Sequence, residues 1–164
     1  MSAPTPTFQP RDPDYAARVR ESFARQKAMQ TIGARLRAVG PGWTEVELPH
    51  RDDLTQQKGY LHGGIIGMIA DNACGYAAYS LMPASASPLT VEYKINILAP
   101  GRGSRYVAEG VVLRSGRTLS VTRAEVYAET DAERIHVASM QQTVLMLADT
   151  PDTPGTPDTP DQAE

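Results

Sequence analysis

From Gly63 to Met82 the chain runs through 20 small and apolar residues with a single charge, Asp71. A helix apolar on all sides must be enclosed by the rest of its own domain or span a membrane. The run is broken by Asp71 and Asn72, and nowhere does the chain reach the roughly 18 uninterrupted apolar residues of a membrane span. The enclosing material must therefore come from the flanking sequence, and that sequence alternates. Upstream, Ala34, Leu36 and Ala38 alternate with Arg35 and Arg37. After a Pro41-Gly42 turn, Thr44, Val46 and Leu48 alternate with Glu45 and Glu47. Downstream, Val91, Tyr93, Ile95 and Ile97 alternate with Glu92, Lys94 and Asn96, a pattern that predicts a strand with one apolar face. Pro100-Gly101, Ser115-Gly116 and Thr130-Asp131 then separate three further strand-like runs.

The predicted order is an N-terminal helix, two strands, a buried helix and four strands. The first helix starts at Asp12-Pro13, a cap followed by a proline suited to the first turn, and carries Tyr15, Val19 and Phe23 on one face to about Gln30. One apolar helix with antiparallel strands on both sides of it in sequence requires the sheet to wrap that helix. This is an α+β arrangement, the hotdog fold. The expected organisation is a loose leader over 1–12, one domain over 13–147 and a disordered tail over 148–164. In that tail Thr-Pro recurs at 150, 153, 156 and 159 with nothing apolar to bury.

Charge and cysteine content narrow the function. The net charge of −3 is concentrated in the tail, where Asp149, Asp152, Asp158, Asp161 and Glu164 meet no basic residue. The remainder is slightly basic, far from the concentrated basic face that nucleic acid demands, and suited to a small anionic ligand. A single cysteine, Cys74, allows no intrachain disulfide and no thiolate metal cluster. The polar, proline-rich first residues read as no secretory leader, so a cytoplasmic, non-membrane protein without metal or cofactor is expected.

Chemistry concentrates in Tyr60–Tyr79, YLHGGIIGMIADNACGYAAY. A carboxylate in an enclosed helix costs several kcal/mol unless paired or neutralised. Asp71 is thus either paired across the core or reactive. At the helix start, Gly63 and Gly64 follow His62, so unpartnered first-turn N–H groups, at the positive end of the helix dipole, stand open to close approach. Gly63 and Asp71 are eight residues apart, about 12 Å along a helix. If they share a reaction centre, two copies of the helix must lie antiparallel, each giving its N-terminus to the other's carboxylate.

The segments LHGGIIGMIADNACGYAA, LTVEYKINILAPGRG and VLRSGRTL closely resemble the PaaI-type acyl-CoA thioesterases of the hotdog superfamily, and SFARQKAMQTIGARL resembles the leader of one of its branches. The resemblance spans about residues 15–147. It implies that Gly63 polarises the thioester carbonyl and that Asp71, nine residues after His62, is nucleophile or general base. Gln56, six positions before His62, would help bind the carbonyl or orient water, a role its neighbour Gln57 could exchange. Thr90 at the start of the following strand would help hold the water, and His62 completes the catalytic set. Gly64, Asn72, Arg114 and Arg117 are the expected substrate-binding residues. Arg102, Arg105, Arg114 and Arg117 lie at turns where relatives meet coenzyme A phosphates, and guanidinium forks suit phosphate. Ile66, Met68, Ile69 and Tyr76 are the expected acyl-pocket lining. The implied partners are an acyl-CoA substrate and a second copy of the chain, in a homodimer or a tetramer of two dimers. A non-catalytic acyl-CoA-binding module and an acyl-CoA hydratase are the alternatives. The retained carboxylate argues against the first, and the lack of a histidine between Asp71 and His136 against the second.

Overall fold

The computed structural model describes residues 7–150 and 152–153. Helices α1 (Tyr15–Arg25) and α2 (Lys27–Ile32) lead into strands β1 (Arg35–Gly40) and β2 (Trp43–Pro49). The long helix α3 (Gly63–Tyr79) follows, then β3 (Ser87–Ile97), β4 (Arg105–Ser115), β5 (Leu119–Glu129) and β6 (Arg134–Leu147). The six strands form one antiparallel sheet in the order β1-β2-β4-β5-β6-β3, so β1 and β3 are its edges. Each strand predicted from alternation is present.

Helix α3 lies across the sheet, and its depth is set by a glycine. A Cβ on Gly110 of β4 would stand 2.3 Å from the Ala73 carbonyl oxygen, so backbone meets backbone there. The neighbouring Thr44 hydroxyl donates to the same oxygen at 2.6 Å. Val46, Leu48, Tyr106, Ala108, Val126, Ala138, Met140 and Val144 of the sheet close over Ile66, Ile69, Ala70, Ala73 and Ala77 of the helix. This is the enclosure that the apolar run demanded.

The N-terminal helix departs from its expected form. It breaks at Gln26, whose extended backbone (φ −72°, ψ 103°) separates α1 from α2, and α2 stops at Gly33 in the left-handed region (φ 80°). Order also begins before Pro13. Phe8 packs against the core, and Asp12 is buried and paired with Arg18 at 2.7 Å. Arg18 caps the far end of the central helix: it donates to the carbonyl oxygens of Tyr79, Met82 and Pro83 and stacks on the Tyr79 ring at 4.2 Å. Helix α3 accordingly ends at Tyr79, with Ser80–Met82 turning away rather than continuing it. At the other terminus the last strand ends at Leu147, and Asp152 returns to pair with Arg25 at 2.9 Å. The rest of the expected leader and tail lies outside the described residues.

Strand β3 leaves much of its predicted apolar face open: Val91, Tyr93 and Ile97 are 47–55% exposed, as is Leu89 before them. β3 is the last strand of the sheet, and its outer edge has no partner strand among the described residues.

Candidate active site

Helix α3 begins at His62, whose extended backbone and side chain form the N-cap: Nδ1 accepts from Gly64 N–H at 2.9 Å. The His62 carbonyl accepts from Ile65 N–H at 2.9 Å and Ile66 N–H at 3.1 Å. Of the first four N–H groups, only that of Gly63 has no partner among the described residues. A Cβ on Gly63 would meet nothing within 4 Å, so the chain's own packing does not require glycine at this position. The capping bond commits His62 Nδ1 to structure and removes Gly64 N–H as a free donor.

Two turns along, Asp71 Oδ1 accepts from Thr90 Oγ1 at 2.8 Å and from Gln142 Nε2 at 2.9 Å, and Gln142 Nε2 also donates to Thr90 Oγ1 at 2.8 Å. The proton count closes: both amide hydrogens of Gln142 and the one hydroxyl hydrogen of Thr90 are used. No bond engages Oδ2 among the described residues. Burial raises the Asp71 carboxyl above the ordinary carboxylate range, and the bonds from Thr90 and Gln142 partly offset that rise. A β-bulge between Thr90 and Glu92 shifts the register of β3 against β6 and lets Thr90 point at the helix.

Gln142 is the residue that sequence reasoning missed. It is fully buried, and its signal lies in the alternation of β6, where Ala138, Met140 and Val144 are the other inward residues. The expected lining also needs correction. Ile66 and Ile69 are buried in the chain's own core, because α3 turns them towards the sheet. Only Tyr76 of the expected set borders the pocket beside Asp71. That pocket, about 160 Å³, is lined by Asp71, Asn72, Gly75 and Tyr76 of α3, Ser22 and Gln26 near one end of α1, Pro88, Thr90 and Asp152. The Tyr76 hydroxyl accepts from Gln26 Nε2 at 2.7 Å and shares a hydrogen bond with Ser22 at 2.9 Å. Asn72 Nδ2 donates to the Met68 carbonyl at 3.2 Å.

The other candidates lie apart from Asp71 within one chain. Gln56 sits in the loop before α3, its side chain accepting from Lys58 N–H. Arg114 and Arg117 are exposed at the β4–β5 hairpin and make no ion pair among the described residues. Arg102 stacks on Tyr60 at 4.6 Å, and Arg105 is engaged by Glu129 at 2.8 Å. The Cys74 thiol, buried under the sheet, is pushed up to about 12 and is no nucleophile near neutral pH. Among the described residues no cluster of three or more His, Cys, Asp or Glu is placed to hold a metal, and no helix is long and apolar enough to cross a membrane.

Comparison with known proteins identifies this architecture. The family model of the thioesterase superfamily matches residues 58–135. A thioesterase family protein from Silicibacter pomeroyi superimposes with a TM-score of 0.80 at 47% identity, over 82% of this chain and 98% of its own. A Halobacterium salinarum protein named as a putative esterase is 30% identical over 77% of this chain and 89% of its own length. A medium/long-chain acyl-CoA thioesterase of Escherichia coli is 28% identical over 52% of this chain, and the match spans 62% of that protein. On the fold, the sheet topology and these likenesses, the chain belongs to the thioesterase superfamily of hotdog-fold thioester hydrolases.

Proposed function

We propose that the protein hydrolyses acyl-CoA thioesters to a free acid and coenzyme A, at two sites per homodimer, each built from Asp71 of one chain and Gly63 N–H of the other. The observation that carries the reading is the pairing of one open first-turn donor with one carboxylate that burial makes more basic, eight positions apart on one helix. Their separation of about 12 Å along the axis keeps both from one carbonyl within a chain. The open edge and exposed apolar residues of β3 support a second copy there, since an apolar unpaired edge strand otherwise invites aggregation.

In this mechanism the thioester oxygen accepts from Gly63 N–H at the positive end of α3, which stabilises the charge that develops on it. Asp71 acts as general base: Oδ1 is held by Thr90 and Gln142, and Oδ2 takes a proton from water as the water oxygen bonds to the carbonyl carbon. The C–S bond then breaks, and the proton passes to the departing thiolate. The Thr90 hydrogen is committed to Asp71, so Thr90 orients the base and can offer water only an accepting lone pair. Arg114 and Arg117, exposed at the β4–β5 hairpin, would meet the phosphates of coenzyme A, and Gln56 would assist the carbonyl end. The acyl-CoA class draws support from the Escherichia coli relative. The test is a panel of aryl- and alkyl-CoA thioesters assayed for free thiol, wild type against Asp71→Asn. Thiol release by wild type that the variant lacks is expected; undiminished release by Asp71→Asn would refute the assignment.

A further inference from the structure

Behind the start of α3 stands a chain of hydrogen bonds that the proposed chemistry does not use. The Gly101 carbonyl accepts twice, from Leu61 N–H at 3.1 Å and from the Tyr106 hydroxyl at 3.1 Å. Tyr106 is fully buried, and its oxygen lies 3.0 Å from His50 Nδ1. Tyr106 has one hydroxyl hydrogen. Spent on Gly101, it leaves the phenol oxygen only able to accept, so His50 must carry its proton on Nδ1. The backbone N–H of His50 is itself tied to the Ser104 carbonyl at 2.9 Å, which fixes the ring's root to the turn after Gly103.

Gly101 is pressed against the segment it holds: a Cβ there would lie 3.2 Å from Leu61 Cβ and 3.5 Å from the Ile66 side chain. Leu61 is buried and stands two residues before Gly63. Next to it, Arg102 donates to the Tyr60 hydroxyl at 2.7 Å, so the β3–β4 turn grips two successive residues ahead of the helix. We propose that Tyr106 and His50 are positioning residues for the reaction: through the Gly101 carbonyl they fix the Leu61–His62 segment and so aim Gly63 N–H at the acyl oxygen. This rests on the proposed role of Gly63. A donor displaced by as little as an ångström loses much of its effect on the transition state, so the consequence falls on turnover more than on binding.

The test compares Tyr106→Phe, His50→Ala and His50→Asn, the last placing an amide donor near the former Nδ1. Thr44→Val serves as control, because it removes an equally buried hydroxyl that ends on Ala73 of the same helix, away from Leu61. Tyr106→Phe and His50→Ala should lower kcat about 10-fold with KM within about 2-fold, and His50→Asn should recover most of the loss. Amide hydrogen exchange over residues 61–66 should quicken in the first two variants and not in Thr44→Val, a readout that needs no substrate. The inference is overturned if kcat and exchange in Tyr106→Phe match the control, or if His50→Asn is no better than His50→Ala. Should Tyr106→Phe fail to fold, the partly exposed His50 pair decides alone. If Asp71→Asn in the same assay keeps its activity, the thioesterase reading has failed; if that variant is dead and the His50 and Tyr106 variants turn over normally, only the positioning role has.

Discussion

The shared site can be tested by rebuilding it from two broken halves. Asp71→Asn leaves a chain with an intact helix start and no base. Gly63→Val leaves the base and blocks the approach to the open N–H with a β-branched side chain. The structure predicts that both fold: the first swap conserves shape, and the second adds a side chain where nothing lies within 4 Å. Each homodimer should fall at least about 100-fold in turnover, the loss expected on removing an acid–base group or an oxyanion donor. When the two are mixed and allowed to exchange, random pairing makes half the dimers mixed. In every mixed dimer one site has both groups and the other has neither, so recovery should reach about a quarter of the wild-type rate. The assay is thiol release against time after mixing, with heterodimer formation followed by native mass spectrometry on differently tagged chains. A mixture that stays as inactive as its parents while heterodimers accumulate would show that Gly63 and Asp71 do not meet across an interface.

Four further outcomes are expected. Because burial raises the Asp71 carboxyl, the folded chain binds that proton more tightly than the unfolded chain, and this residue's favourable contribution is lost as pH rises through the folded value. Thermal melts should therefore find Asp71→Asn at least as stable as wild type at pH 7, with the gap closing below about pH 4; a variant less stable at pH 7 than at pH 4, relative to wild type, would contradict this. Gln142→Leu removes a donor that lowers the Asp71 carboxyl, so the acidic limb of its kcat/KM profile should move to higher pH, and an unmoved limb would count against the bond. Arg114→Ala with Arg117→Ala should raise KM for a CoA thioester several-fold with kcat unchanged and leave the thioester of a phosphate-free thiol unaffected. Removing residues 149–164 loses the exposed Arg25–Asp152 pair, worth about 0–1 kcal/mol, so the melting temperature should fall by no more than about 4 °C.

The parts of this molecule that could be read from sequence are those with a local signature. Alternation identified β1, β2 and β3, turn residues separated β4, β5 and β6, and the lone charge of the apolar run singled out Asp71. The setting of that charge was less visible. Gln142 is 71 positions away, and its inward direction follows only once β6 is read in register from Ala138 to Val144. Periodicity likewise told which residues of β3 share a face, but not that the strand is the sheet's last, where apolar residues stay exposed. Ile66 and Ile69 were indistinguishable from pocket residues because a helix apolar on all sides does not announce which side meets its own sheet. The break at Gln26 has no proline or glycine to mark it.

Arg18 holds the end of the central helix through three carbonyl oxygens, of Tyr79, Met82 and Pro83, besides its stacking on the Tyr79 ring. Backbone oxygens are present whatever residues occupy a loop. The hold of Arg18 on this turn therefore depends on the path of the backbone at Met82 and Pro83 and not on which side chains those two positions carry. The exacting requirement falls instead on position 18, where a lysine would supply the charge but not the planar fork that reaches separate acceptors.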